Sequence, residues 1–423
     1  MTLDATAARA GTARPAGMRS AERALAPDLA RGLMLLLIVL SNTAYHLWRS
    51  EYGPSGWQPV TGGWLDHAVQ FGMITVLDLR VYPLFAFLFG YGMVQLYQRQ
   101  RAAGTSERAA VGILRRRSLL LVLIGLAHAT LFMAGDIVGY YGVLSFALGW
   151  FFLRRSDRAL NRWIVIAAVQ LLVISAEPVV SALLQGDLGS LGEVSGTPGY
   201  EAYASEESDW LTAAGTRLST GLFVTFAAAP LSLVGGAYLI FLLGFWAARR
   251  RILEEPSRHL PLLRRTAVLG ITIGWLGALP SALAHVGALD VPAHVQSESG
   301  VLMIVRELTG MAAGLGYVAA IALFVAWWNR RAAGRNRASG PNRAVTAVAA
   351  VGKRSLSCYL AHSVLFAPLL AAWGLGLGAR LTSSTMVLFA TGVWLVTVAA
   401  AYAFERRGWR GPVEVVLRKA MYR

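Results

Sequence analysis

Residues 27–48 read PDLARGLMLLLIVLSNTAYHLW, and the reading of this stretch decides the fold class. Asp28 and Arg31 open it, the run from Leu33 to Leu40 is wholly apolar, and Asn42, Tyr45 and His46 close it. An α-helix rises about 1.5 Å per residue, so about 20 apolar residues span the ~30 Å hydrocarbon of a bilayer. Backbone at that depth must satisfy its own hydrogen bonds, which selects a helix. The stretch is therefore a spanning helix, expected at 29–48, with polar chemistry at both ends.

The same logic extends outward. The 423-residue chain is 56% hydrophobic and only 15% charged, whereas soluble domains run nearer a quarter charged. The class is an all-α polytopic membrane protein with about ten transmembrane helices. Its expected parts are a disordered basic cytoplasmic arm at 1–26, a transmembrane domain at 27–404, and a cytoplasmic tail at 405–423. Residues 1–26 lack an apolar core, so the first span is expected to serve as an uncleaved signal-anchor.

The net charge of +16 does not point to nucleic acid. Of 39 lysines and arginines, 33 fall in segments on the N-terminal side of the expected spans. That asymmetry is the positive-inside rule, so both termini are expected in the cytoplasm and the chain in a bacterial cytoplasmic membrane. Its partners are then membrane lipids and a small-molecule or glycan acceptor, and the basic face is free to meet lipid headgroups or cofactor phosphates. One cysteine, Cys358, excludes a disulfide framework, and no grouping has metal-ligand spacing, so no metal is expected.

Further along, Asp78, Arg80 and Pro83 interrupt the second apolar run. A span at 80–98, with 66–79 at the outer interface, leaves both charges near the headgroups, away from the costly bilayer centre. Spans at 118–134 and 138–153 form a hairpin around Gly135 and Asp136, and a span at 163–184 leads to an acidic outer loop at 185–217. The long run 220–248 needs tilt, a kink at Pro230 or an outer prelude. Spans follow at 266–286, 303–328, 355–377 and 385–404, and the basic segment 329–354 is expected to be cytoplasmic.

Ionisable groups inside a bilayer are costly unless paired or wetted, so each is a candidate for function. His46 lies four residues past Asn42, on one helix face if the helix continues, and the two suit a general base with an oxyanion donor. The rival role for His46 is anchoring beside Tyr45 and Trp48. His128 sits nearer mid-membrane. It is eight residues from Asp136, about 80° around a helix, and a direct bond between them is not expected. Tyr359 and His362 are helical neighbours that line a cavity or bond between helices. Arg31 either pairs with Asp28 or meets a phosphate of a donor. Arg306 and Glu307 pair, snorkel, or contact substrate. Gly90 and Gly92 are read as close helix packing.

Several local patterns coincide: Asp28-x-x-Arg31-Gly32 with Asn42, FLFGYG at 87–92, IGLAH at 124–128, GDIVGYYGVL at 135–144, GKRSLSCYLAHS at 352–363 and RGPVEVVLR at 410–418. On these residues the sequence resembles the YeiB-like family of bacterial inner-membrane proteins over nearly its full length, a family largely of unassigned function. Its opening helix also looks like that of the membrane acyltransferases, which include the heparan glucosaminide acetyltransferases. Asn42 fits the Asn of those enzymes, while His46 comes sooner than their catalytic His. The resemblance implies acyl transfer from a cytoplasmic acyl-CoA donor to an acceptor at the outer face. His46 or His128 would then be the base, Asn42 the oxyanion support, and Asp136, Tyr359, His362 and Glu307 cavity residues, with Arg31 on the donor. The alternative is a transporter or exporter of a lipid or small metabolite, without covalent chemistry.

Overall fold

The computed structural model describes residues 24–186, 198–334 and 342–422. The arm before residue 24 and the part of the acidic loop at 187–197 lie outside the described residues. Among the described residues the chain is helical, with no strand beyond an isolated bridge between Tyr52 and Pro59.

The helices are α1 Leu25–Ser41, α2 Trp64–Gly72, α3 Val81–Ala102, α4 Glu107–Leu131, α5 Ile137–Phe152, α6 Asp157–Gln185, α7 Trp210–Phe223 and α8 Ala229–Val234. They continue as α9 Leu239–Arg249, α10 Leu260–His285, α11 Ala293–Gln296, α12 Val301–Gly334, α13 Arg343–Lys353, α14 Ser355–Leu370, α15 Ser383–Arg406 and α16 Pro412–Met421. Six helical stretches are long and apolar enough to cross a membrane: Trp64–Ala102, Asp157–Gln185, Trp210–Val234, Leu260–His285, Ala293–Arg331 and Ser383–Arg406. Ile137–Phe152, Leu239–Arg249 and Ser355–Leu370 are shorter apolar helices. The protein thus has the character of a multi-pass membrane protein.

Small residues set the tightest contacts. On α10, Gly270, Gly274 and Gly277 face Ala312, Ala313 and Thr309 of α12, and any Cβ at these glycines would collide. Without a hydrophobic drive between helices in lipid, such close backbone approach supplies the packing energy. Gly90 meets the Phe241 carbonyl in the same way, joining α3 to α9. Gly92 does not pack a helix: its side faces the Arg31 guanidinium at 3.0 Å.

Four expectations change here. The first helix stops at Ser41, with Asn42 as its C-cap, and residues 44–46 form a separate 3-10 turn. Asn42 and His46 therefore do not share a helix face. Asp78 and Arg80 do break the second run where expected, and Leu79 takes φ 63°. Both are enclosed by the protein itself, being 3% and 0% exposed. The π-helical turn 73–77 and this break free backbone carbonyls, and other groups capture them: Arg80 donates to Asp78 O and Tyr317 to Val76 O, while Arg80 also reaches across to Gly274 O of α10. The run 220–248 divides at Gly235 to Tyr238. Pro230 sits harmlessly in the first turn of α8. Gly236 at φ 78° passes against the α6 backbone, and Gln170 of α6 donates to the Leu233 and Val234 carbonyls. Finally, 342–353 of the basic segment is a helix buried along one face. α13 lies on α1, with Gly32 against Val348 and Gly352 against Asp28.

Candidate functional site

A cavity of about 590 Å³ opens beside the start of α1, at the end of the molecule where the basic residues gather. Its mouth carries Arg31, Arg99, Arg117, Lys353 and Arg418, with Asp28 and Glu414 as the acids. Arg31 Nη1 lies 3.3 Å from Asp28 Oδ1, so the expected i,i+3 pair is present on the wall of the cavity. Arg117 lies over the Phe89 ring at 4.8 Å. α16 closes one side: the Glu414 carboxylate accepts from the Leu356 and Ser357 amides at 2.9 and 3.1 Å and from the Ser357 hydroxyl, capping α14. Leu35, Leu121, Val138 and Tyr359 are also among its walls.

Tyr359 also lines a second, much smaller space of about 10 Å³, room for about one water. Asn42, His46, Phe132, Met133, His362 and Phe366 enclose the rest of it, together with Ile38, Val39 and Ser363. Asn42 and His46, predicted as a pair, thus meet His362 in one pocket, and Tyr359 lines both it and the large cavity.

Behind Tyr359 lies the strongest polar arrangement in the chain. α4 ends at Leu131, and the chain turns before Asp136 caps α5 by accepting from Gly139 N at 2.6 Å. The turn folds the eight intervening residues back on themselves, so the helical-wheel argument against a direct bond fails. His128 Nδ1 lies 2.7 Å from Asp136 Oδ1. The same oxygen accepts from Tyr359 Oη at 3.2 Å. Gly125 and Gly139 allow this approach, since a Cβ at Gly125 would strike Gly139 N and the Asp136 carboxylate. With both Asp136 oxygens accepting, the His128 Nδ1–H donates and Nε2 keeps its lone pair in the neutral ring. Nε2 is buried without a partner among the described residues.

The other two histidines are held differently. His362 Nε2 pairs with Thr397 Oγ1 at 3.0 Å and leaves Nδ1 without a partner. Neither nitrogen of His46 has a partner among the described residues, and its ring meets Phe366 edge-on at 5.5 Å. Glu307 lines neither space. It accepts from Tyr82 at 3.4 Å, elsewhere on α12. Sequence reasoning missed Gln95, Arg99, Arg117 and Glu414 as cavity residues. The signal available for Glu414 was its place in the RGPVEVVLR pattern, whose Arg418 also lines the mouth.

Comparison with known proteins agrees with the YeiB-like resemblance. Residues 247–423 match the family described as a protein of unknown function (DUF418). The chain is 24% identical over 420 residues to the uncharacterized protein YxaH of Bacillus subtilis (strain 168), covering 93% of each. It is 26% identical over 422 residues to the uncharacterized protein YeiB of Escherichia coli (strain K12), covering 95% of this chain and 97% of that one.

Proposed function

We propose that the chain is a ten-pass membrane acyltransferase of a bacterial cytoplasmic membrane, with both termini and the basic cavity mouth in the cytoplasm. It takes an acyl group from acyl-CoA and delivers it to a hydroxyl or amine acceptor approaching from the opposite face. One observation carries the reading: a basic cavity of small-molecule size has Tyr359 in its wall, which is hydrogen-bonded to the carboxylate that orients His128.

The donor set suits the proposed substrate. A guanidinium matches phosphate oxygens with a planar fork, and Arg31, Arg99 and Arg117 line one cavity with Lys353 and Arg418. The apolar walls at Leu35, Leu121 and Val138 fit a pantetheine arm, which directs the thioester toward Tyr359. His128 then takes the proton of the attacking acceptor at Nε2, while Asp136 stabilises the imidazolium that forms. The acceptor's oxygen or nitrogen bonds the acyl carbon, the carbon–sulfur bond breaks, and the CoA thiolate leaves through the basic mouth. Asn42 would support the oxyanion, since the Tyr359 hydroxyl already donates its hydrogen to Asp136. His46 lines the small space, and His128 lines neither space but packs on Tyr359 at 5.1 Å between ring centroids. Only His128 has an acid to fix its tautomer, so His128 is the base in this account and His46 is not.

The test is thiol release from acetyl-CoA by the purified full-length protein in lipid nanodiscs, with and without a pool of bacterial glycans and polar lipids. Release that depends on acceptor and is lost in His128→Ala, with donor binding kept, supports the reading. Protein that neither binds nor cleaves acyl-CoA overturns it.

A further inference from the structure

A second polar centre lies away from the cavity and is used by nothing above. Arg306 of α12 is 4% exposed, and its Nε and Nη2 have no partner among the described residues. It lines a small space of about 20 Å³ with Ser281 and His285 of α10, Gln296 of α11, and Pro54 and Ser55 of the loop after α1. Arg80, fully buried, is a charged neighbour, and Asp78 is the acid near both guanidinium groups. No direct ion pair joins Asp78 to either one. Its carboxylate instead accepts from Gln58 Nε2 at 3.1 Å. His285 Nε2 lies 2.9 Å from the Pro59 carbonyl, to which its N–H donates. The centre therefore holds two guanidinium charges against one carboxylate, out of water.

A buried cation without a counter-charge costs several kcal/mol, and two unused donors add to that cost. A water in the space would accept from the guanidinium but leave the excess charge in place. An anion answers both deficits. The space is small, with room for about one or two waters, which suits a small anion. We infer that Arg306, with the second amide hydrogen of Gln296 and with Ser281 lining the space, forms a buried site for a single halide ion, chloride under physiological conditions. The ion completes the charge of the Asp78–Arg80–Arg306 cluster and ties the loop after α1 to α10 and α12.

The experiment is thermal unfolding of the purified full-length protein in nanodiscs, with sodium chloride or bromide replaced by sodium gluconate at constant ionic strength. A midpoint several degrees higher in the halide salts, saturating with halide concentration, is expected. Ser281→Val fills the space without touching a charge and should abolish the difference. Arg306→Gln should do the same if it folds. Bromide anomalous scattering from crystals of the unaltered protein should place a peak beside the Arg306 guanidinium. Equal midpoints in the two salts, a difference that survives Ser281→Val, or a site without anomalous signal overturns the inference.

Discussion

The basic cavity and the Arg306 centre both gather cations in a protein otherwise built of apolar helices, yet they treat those cations in opposite ways. In the cavity, Arg31, Arg99 and Arg117 border a space of about 590 Å³ that admits a ligand. Around Arg306 the charges are buried in the protein, beside a space of only about 20 Å³. The difference teaches where exchange with solution is built in. Charge beside an open cavity remains hydrated until a ligand arrives, whereas buried charge needs a permanent partner. The first arrangement suits binding and release, the second suits holding a structure together.

The largest effect expected on this contrast is next to Tyr359 of the cavity wall. His128→Ala should lower acceptor-dependent thiol release by about 10²–10⁴-fold, the range for loss of a general base, with donor affinity unchanged. A drop of equal size in His46→Ala would break the distinction between the two histidines; a change under about tenfold there would sharpen it.

Next is Asp136→Ala. It removes the partner of His128 and the cap of α5 together, so turnover should fall. Stability should drop by about 0.5–2 kcal/mol from the lost cap, read by thermal or denaturant unfolding in nanodiscs. Turnover lost with stability unchanged would mean that the Gly139 contact carries no weight.

Gly352→Ala sets a methyl against the Asp28 carbonyl where α13 lies on α1. An overpacking cost of about 1–3 kcal/mol is expected in the same unfolding measurement. The smallest effect is at the mouth. Arg117→Gln should weaken acyl-CoA binding by about tenfold, or about 1.4 kcal/mol, with the deficit shrinking as salt rises. Weakening that ignores salt would assign Arg117 to packing on Phe89.

Much of this was legible in sequence because apolar length and basic flanks follow from bilayer thickness and charge sidedness. Those same features left tertiary matters unread. The 128–136 relation was misjudged because the wheel presumes one helix, whereas the chain turns after Leu131 and Asp136 swings back as a cap. Asp78 and Arg80 were assigned to headgroups on cost grounds. The protein itself encloses them and uses Arg80 to capture a carbonyl released by a broken helix. α13 hid in a segment read by its charges, because Ala349, Ala350 and Val351 give no long apolar run. His46 was placed on a helix face because Asn42 was read for its chemistry, although an Asn after the last apolar residue is also a stop signal, and it caps the helix here. Its convergence with His362 depends on α14 lying beside α1, a pairing that no spacing encodes.

The most direct test of the central claim is a density map of the full-length protein in lipid with a non-hydrolysable acetyl-CoA thioether. The account predicts phosphates among Arg31, Arg99 and Arg117, and the acyl end beside Tyr359 within reach of His128 Nε2. An analogue bound elsewhere, or a cavity filled by a lipid chain that the analogue does not displace, would contradict it.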